Sequence, residues 1–179
     1  MKTSKPKIIA LAAALLIIGV LAFAATRPDT FRVERSLVVS ASPEKVFPLV
    51  NDFKNWTAWS PYEKIDPRMN RRYGGAASGK GSTYEWAGNG KSGAGRMEIV
   101  ESKAPSKIGI KLDFTVPFES HNRTEIVMLA QGQATRLTWS MEGPSPYISK
   151  LMGVFFNMDR IVGRDFEIGL ENLKDIAEK

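Results

Sequence analysis

Cysteine is absent from the 179-residue chain, and histidine occurs only once, as His121. Without cysteine there can be no disulfide framework, no thiolate nucleophile and no Cys-ligated zinc or iron–sulfur site. A single imidazole also excludes a metal site built from several histidines. A Ser-His-Asp triad would have to use His121, and the turn motif that usually presents the serine is missing. The composition therefore favours a binding protein over an enzyme, and we expect neither a metal ion nor another cofactor.

Charge is also absent from one long stretch near the N-terminus. Residues 8–25 are eighteen residues without a charged side chain, preceded by Lys2, Lys5 and Lys7. As a helix this stretch would be about 27 Å long, close to the thickness of the hydrocarbon core of a bilayer. The three lysines would hold the N-terminus in the cytoplasm. The sequence therefore predicts that the rest of the chain lies on the extracytoplasmic, periplasmic side.

Two interpretations of this apolar segment remain open. Its length exceeds the apolar region of a typical signal peptide, which favours a retained membrane anchor. Ala22-Phe23-Ala24 also fits a signal-peptidase site before Ala25, and cleavage there would give a secreted or periplasmic protein. In both cases residues 1–26 form the membrane anchor or signal sequence, and residues 27–179 form the folded domain.

The folded part has only a small net charge. The whole chain has 25 Lys and Arg against 19 Asp and Glu, a net charge of +6, and the first 26 residues contribute three lysines and no acid. The remainder therefore has a net charge of about +3, which argues against nucleic acid as a partner. A chain of this length can bury one hydrophobic core without support from disulfides or metals.

The spacing of apolar residues predicts a sheet preceded by short helices. Residues 30–39 alternate as a strand, with Arg35 as the charged residue on the apolar side. Ser42-Pro43-Glu44 predicts the start of a short helix, and a second short helical segment should end at Pro61. Alternation with a period of two then predicts six strands, near residues 69–73, 81–87, 95–103, 107–118, 122–130 and 135–142.

The end of the chain returns to helical spacing. Apolar residues recur every three or four positions from Tyr147 to Ala177, which predicts a long helix over the apolar face of the sheet, with a break near Gly153. Short connections, including a turn at Glu119-Ser120-His121, predict an antiparallel meander. The expected fold class is α+β: an antiparallel curved sheet wrapped on a long C-terminal helix, preceded by an N-terminal transmembrane helix.

Two glycine-rich segments have spacings similar to those of phosphate-binding loops. Residues 88–93 fit G-x-G-x-x-G, and residues 74–80 come close to a P-loop. Strands are predicted after both segments, whereas a phosphate site needs a helix whose N-terminus holds the phosphate. We therefore interpret both segments as connections between strands.

Aromatic and methionine side chains are the strongest candidates for a binding site. They occur on the short helices, on the apolar face of the strands and in the C-terminal helix. Ordinary core packing explains any one of them, but together they could line a cavity for an apolar ligand. The candidate ligand-binding residues are Trp56, Trp59, Tyr84, Trp86, Phe114, Phe118, Trp139, Met141 and Phe155.

Five segments have sequences typical of one group of proteins: residues 33–36, 41–47, 56–61, 138–143 and 165–174. They resemble SRPBCC proteins of the polyketide cyclase/dehydrase group, which have the helix-grip, START-like fold. The resemblance extends over roughly residues 31–179. The order of strand, two small helices, six-stranded meander and long C-terminal helix is also that of this fold.

The resemblance implies a cavity between the sheet and the C-terminal helix that holds a hydrophobic small molecule, such as a lipid, an isoprenoid or a polyketide-like compound. Some members of the group are enzymes, so an alternative is a cyclase/dehydratase-like enzyme using general acid–base catalysis. His121, Glu98 and Asp113 are the candidates for that chemistry. A third possibility is a protein-interaction module at the membrane surface, which predicts a filled interior and an exposed apolar patch. The oligomeric state stays open.

Overall fold

The computed structural model describes residues 5–179 and has a seven-stranded sheet with helices at both ends of the chain. The elements follow one another as α1 (Lys5–Ala25), β1 (Thr30–Val39), α2 (Pro43–Asn51), α3 (Trp56–Trp59), β2 (Asn70–Gly75), β3 (Ser82–Ala87), β4 (Ala94–Lys103), β5 (Lys107–Val116), β6 (Ser120–Gln131), β7 (Ala134–Pro144), α4 (Tyr147–Phe155) and α5 (Met158–Ala177). Short 3₁₀ helices at Phe53–Asn55 and Pro61–Lys64 flank α3.

The sheet is antiparallel throughout, in the order β1-β7-β6-β5-β4-β3-β2. Its inner face packs against α2, α3 and α5, which confirms the α+β class and the helix-grip arrangement. Thr30 at the start of β1 lies opposite Pro144 at the end of β7. We call this end of the sheet the α1 end, because α1 leads into β1 there. The β5–β6 turn and the β3–β4 turn lie at the same end.

Most strand boundaries agree with the sequence pattern, but two differ around the β5–β6 turn. β1 has the expected bounds of residues 30–39. β5 ends at Val116 instead of continuing to Phe118, because Pro117 has no N–H to donate to a neighbouring strand. β6 starts at Ser120, so the expectation that His121 lies in a turn is wrong: His121 pairs with Asp113 across β5 and β6.

The C-terminal helical region is interrupted later than expected. The break is at Phe156 and Asn157, not near Gly153, and it separates α4 from α5. The side chain of Asn157 accepts a hydrogen bond of 3.0 Å from the backbone N–H of Arg160, so Asn157 caps the start of α5. This cap marks the start of α5, and α4 is a separate helix.

α5 packs mainly on β1, the edge strand of the sheet, and to a smaller extent on α3. Arg35, on the inward side of β1, donates from Nε to Glu167 at 2.7 Å and from its Nη atoms to Asp159 at 3.0 Å. Gly163 leaves room for this guanidinium, since a Cβ there would lie 2.0 Å from Arg35 Nη2. Arg35, the charged residue on the apolar side of β1, thus connects α5 to this edge strand of the sheet.

α1 is the one helix within residues 5–179 that is long and apolar enough to cross a membrane. Its length and composition fit either a signal sequence or a membrane anchor. Its side chains are almost all exposed, and Ala24 in the last turn is the exception.

We predict that Gly169→Ala destabilises the fold, although alanine favours helices. A Cβ at position 169 would lie 2.7 Å from the buried Trp139 ring and 3.1 Å from Pro61. Overpacking of this kind costs about 1–3 kcal/mol, which exceeds the gain of about 1 kcal/mol in helix propensity. Thermal unfolding of the full-length chain in detergent micelles should show a lower midpoint for this variant.

Gly153→Ala is the matched control, because no heavy atom outside its neighbouring backbone lies within 4 Å of that Cβ position among the described residues. It should leave the unfolding midpoint unchanged or raise it slightly. Equal midpoints for the two variants would contradict the tight contact between α5 and Trp139.

Candidate functional site

Seven of the nine predicted ligand-binding residues lie in the core or pack directly against it. The buried ones are Trp56, Trp59, Tyr84, Trp139 and Met141, and the partly buried ones are Trp86 and Phe114. Phe118 in the β5–β6 turn is 71% exposed and Phe155 at the end of α4 is 69% exposed, so the structure does not bring these two together with the others.

Three tryptophans fill the space between α5 and the sheet. The Trp139 ring stacks on Phe166 of α5 with centroids 4.1 Å apart and an angle of 7° between the planes, and it contacts Trp59 at 5.4 Å and Trp56 at 6.0 Å. Each indole N–H donates within the protein, to Thr124 Oγ1 in the case of Trp139. Near Phe166, these side chains occupy the space beneath α5 in which the sequence predicts a cavity.

The α1 end of the inner face holds apolar side chains that are only half-buried. We call Phe31, Trp86, Met97 and Phe114 the half-buried strip. Trp86 and Phe114 lie on either side of Gly95 in the sheet, and their rings meet edge to face with centroids 5.6 Å apart. A Cβ at Gly95 would lie 2.4 Å from the indole, so this glycine makes room for Trp86. The strip extends the core to a place that solvent reaches.

A buried hydrogen-bond acceptor without a partner lies on the same face. Asn122 is 6% exposed, and its Nδ2 donates to Ser120 Oγ at 2.7 Å. Its Oδ1 has no hydrogen-bond partner among residues 5–179. Leaving a buried acceptor unpaired costs about 1–3 kcal/mol, and buried polar atoms are normally paired. Asn122 Oδ1 is therefore an acceptor that the described residues leave unpaired, next to the half-buried strip.

Gly143 and the register of β6 place this asparagine. A Cβ at Gly143 would lie 2.0 Å from Asn122 Oδ1 and 3.1 Å from Phe31, so the acceptor and one member of the half-buried strip both lie next to this glycine. Asn122 also lies opposite Leu112, two residues before Phe114 on β5. Asn122 is not among the residues predicted from the sequence, although a signal for it exists: Asn122, Thr124, Ile126 and Met128 alternate on the inward side of β6.

A buried polar network connects the first 3₁₀ turn after α3 to β2 and β3. The Tyr84 hydroxyl donates to Glu63 Oε1 at 2.6 Å, and Arg71 Nε donates to Glu63 Oε2 at 2.6 Å. Burial, together with the hydrogen bond to Glu63, raises the pKa of Tyr84, so the hydroxyl stays protonated. Because both carboxylate oxygens of Glu63 are engaged, this network fixes the turn to the sheet and is poorly suited to proton transfer.

The acid–base candidates lie on the opposite, outer face of the sheet. His121 Nδ1 is 2.7 Å from Asp113 Oδ1, and Glu98 forms an ion pair with Arg96 at 3.2 Å. Strand alternation directs these side chains away from Phe114, Asn122 and the rest of the inner face. The structure therefore separates His121, Glu98 and Asp113 from the half-buried strip.

Other surface features fit an apolar ligand less well. A depression of about 690 Å³ at the start of α5 is lined by polar and charged residues: Arg35, Asn157, Asp159, Arg160, Arg164 and Glu167. Within residues 5–179, no group of three or more Asp, Glu or His side chains is arranged to hold a metal ion. The half-buried strip is therefore the best candidate site.

We predict that His121 titrates above the ordinary histidine pKa. The hydrogen bond to Asp113 raises the pKa of His121, and the net effect of its neighbours lowers the pKa of Asp113 even though burial opposes that shift. The ion pair therefore contributes stability below a pH of about 6.5 and loses it as the pH rises through the raised pKa of His121. Because the chain has one histidine, NMR of ¹³C-histidine-labelled protein reports it directly.

Asp113→Asn is the control for this titration, because it removes the charge while keeping a side chain of the same size. The His121 midpoint should fall in this variant. A wild-type midpoint at or below the ordinary value, or no change on substitution, would rule out the ion pair.

Solved structures of low sequence identity share the fold. A protein from Chromobacterium violaceum matches with a TM-score of 0.59 and 18% identity, over 86% of this chain and 99% of that chain. A protein from Thermus thermophilus matches with a TM-score of 0.57 and 17% identity, over 82% of this chain and 97% of that chain. A protein in the dynemicin biosynthetic locus matches with a TM-score of 0.57 and 15% identity over 86% of this chain, but this chain covers 48% of its length.

No curated protein matches the chain. The family described as "Polyketide cyclase / dehydrase and lipid transport" matches residues 30–178, which include every strand and both C-terminal helices. This match confirms the resemblance to SRPBCC proteins. The chain belongs to the polyketide cyclase/dehydrase and lipid-transport family.

Proposed function

We propose that this chain binds a hydrophobic small molecule, of the lipid, isoprenoid or polyketide-like type, against the half-buried strip, and that it does so without catalysing a reaction. The observation that supports this proposal is the strip itself, an apolar inner surface that is continuous with the core and partly open to solvent. The family description includes lipid transport, which fits a binding role.

The residues of the proposed site have different roles in binding. Trp86 and Phe114 supply apolar contact, and burial of such surface contributes about 25 cal/mol per Å². Asn122 Oδ1 orients the ligand by accepting one hydrogen bond from it. Trp56, Trp59 and Trp139 support the site from the core, while the exposed Phe118 and Phe155 are outside it. One orienting polar group in an apolar site is the usual composition of a small-molecule pocket.

We further propose that α1 is a retained anchor that crosses the membrane through residues 8–25, with the domain on the extracytoplasmic side. Lys2, Lys5 and Lys7 support this orientation, because basic residues stay on the cytoplasmic side. Contacts between the last turn of α1 and the domain support retention: the Tyr147 hydroxyl donates to the Leu21 carbonyl at 3.0 Å.

An enzymatic function and a protein-interaction function are the two alternatives. A cyclase/dehydratase-like activity is within the range of the family, but its sequence-derived acid–base residues His121, Glu98 and Asp113 face away from the strip. A membrane-surface interaction module is favoured by one observation, the apolar exposed surface of α4. A pH-dependent turnover of an ester or polyketide-like substrate would favour the enzyme.

We predict that the full-length chain, purified in a non-ionic detergent, holds an apolar molecule that native mass spectrometry detects, and that Phe114→Ala reduces its occupancy. Loss of a half-buried phenyl contact should cost about 1 kcal/mol, or about fivefold in affinity. Phe118→Ala deletes the same group from an exposed position and should leave occupancy unchanged. An apo mass after incubation with a lipid extract, or equal losses in the two variants, would contradict the proposed site.

We predict that Asn122→Ala weakens ligand binding more than it weakens the fold. The substitution removes the hydrogen bond to Ser120, worth about 1 kcal/mol, but also removes a buried acceptor that lacks a partner within residues 5–179. Thr124→Ala is the control, because this substitution should reduce stability more than ligand binding. The Thr124 hydroxyl accepts a hydrogen bond from Trp139 and donates one to the Ser140 carbonyl, and both are lost. Unfolding midpoints and ligand occupancy, measured on both variants, separate the two effects.

A further inference from the structure

α4 is an apolar helix whose large side chains point into solvent. No residue of α4, which is described over its whole length, is buried. Ile148 is 60% exposed and Phe155 is 69% exposed, and the exposed apolar surface continues through Phe156 and Met158 at the start of α5. Contiguous apolar patches of this kind are rare on soluble monomers and mark contact with a partner or a membrane.

Hydrogen bonds along the whole of α4 connect it to residues 21–29, the end of α1 and the segment that follows it. At its first residue, the Tyr147 hydroxyl donates to the Leu21 carbonyl, and near its last residue the Gly153 carbonyl accepts from Arg27 Nη1 at 3.1 Å. Between them the Lys150 ammonium pairs with Asp29, and this hydrogen bond lowers the pKa of the Asp29 carboxyl. The only helix with which α4 shares extensive contacts within residues 5–179 is α1.

These contacts determine the level of α4 relative to a membrane crossed by α1. Leu21 lies four residues before the end of α1 at Ala25, which corresponds to about 6 Å along the helix axis. The apolar span is about as long as the hydrocarbon core is thick, so the end of α1 coincides with the boundary between acyl chains and headgroups. α4, at the same level, lies at that boundary.

The composition of the α4 surface fits this level. Tyr147, Phe155 and Phe156 are aromatic, and aromatic residues concentrate at the membrane–water interface. Lys150 is the one charged residue of α4, and it is turned toward Asp29. Burial of the exposed apolar side of a helix in the interface is favourable, because its apolar side chains leave water there.

The β5–β6 turn adds a second apolar group at the same end of the sheet. Phe118 is 71% exposed, and its neighbour Val116 is 49% exposed at the end of β5. Both lie at the α1 end, as does the half-buried strip. By contrast Leu129, 59% exposed, lies toward the opposite end, since it pairs with Arg136 near the start of β7.

We propose that α4 and the following residues 156–158 lie in the interface of the bilayer that α1 crosses, so that the domain rests on the lipid with its α1 end and the half-buried strip toward the membrane. The proposal rests on the retained anchor described under Proposed function. It names the source of the ligand: the bilayer supplies the apolar molecule, since the strip lies at the end of the domain nearest the lipid.

Single-cysteine labelling tests this arrangement on the full-length chain, because the natural sequence contains no cysteine. Phe155→Cys and Ile148→Cys report on α4, Leu16→Cys reports on the middle of α1, and Leu129→Cys is the matched exposed aliphatic control. Each variant receives a nitroxide label and is reconstituted in vesicles of phosphatidylcholine with a minority of phosphatidylglycerol. Electron paramagnetic resonance then compares collisions with oxygen, which enters the bilayer, and with a water-soluble nickel chelate.

The expected order of depth is position 16 in the hydrocarbon core, positions 148 and 155 at the interface, and position 129 in water. Labels at 148 and 155 that resemble the label at 129, with position 16 still deep, would overturn the docking of α4 and leave the anchor intact. A water-accessible label at position 16 would overturn the anchor itself. Protection of 148 and 155 from both oxygen and nickel would show that protein covers α4, which would also overturn the proposal.

Discussion

The packing of α5 on Trp139 is the interaction on which the rest of the structure depends. Trp139 stacks on Phe166 of α5, meets Trp59 of α3 edge to face and donates its indole N–H to Thr124 of β6. Aromatic contacts of this kind add about 0.5–1.5 kcal/mol beyond the burial of apolar area. One side chain thus joins the C-terminal helix, a short helix and two strands. The close approach requires Gly169, whose missing Cβ leaves space for the ring.

The proposed binding site lies away from the end of the interior that the tryptophans fill. Beneath Phe166 the tryptophans fill the space over the inner face, whereas toward the α1 end several of the apolar side chains are only half-buried. On the outer face, charged residues pair with one another, as Lys107 does with Glu101 and Glu125. The inner face is therefore apolar and partly exposed at the α1 end, and the outer face is charged. This arrangement supports the proposed uptake of an apolar molecule from the side nearest α1.

How far the sequence predicts this structure depends on whether a feature is local. Alternation defined β1 and the inward direction of Trp86, Phe114 and Trp139, because side-chain direction in a strand follows from position alone. Alternation could not show that Trp139 is fully buried whereas Phe114 is only half-buried. Their burial depends on where α5 crosses the sheet, and that follows from long-range packing. The apolar pattern alone predicts that β5 continues to Phe118. Pro117 ends the strand first, and this local signal is visible in the sequence.

Two other features lay outside what periodicity can show. The apolar repeat from Tyr147 to Ala177 reads as one helix, but the cap at Asn157 divides it, so Phe155 belongs to α4 and not to the cover of the sheet. Asn122 is an inward polar residue, and sequence alone does not reveal that its Oδ1 lacks a partner. That fact depends on Ser120, Gly143 and Phe31 surrounding it in the folded protein.

The pairing of β1 with β7 brings α1 and α4 together. Their contact is also an argument for retention of α1. Thr30 lies opposite Pro144, so the segment that follows α1 and the segment that precedes α4 are side by side when they leave the sheet. Cleavage before Ala25 would remove Leu21 and Ala24, and with them most of the helix on which α4 packs. The released domain would then expose even more apolar surface to water. In the proposed arrangement a retained α1 avoids that cost, and the bilayer would cover the side of α4 that the protein leaves open.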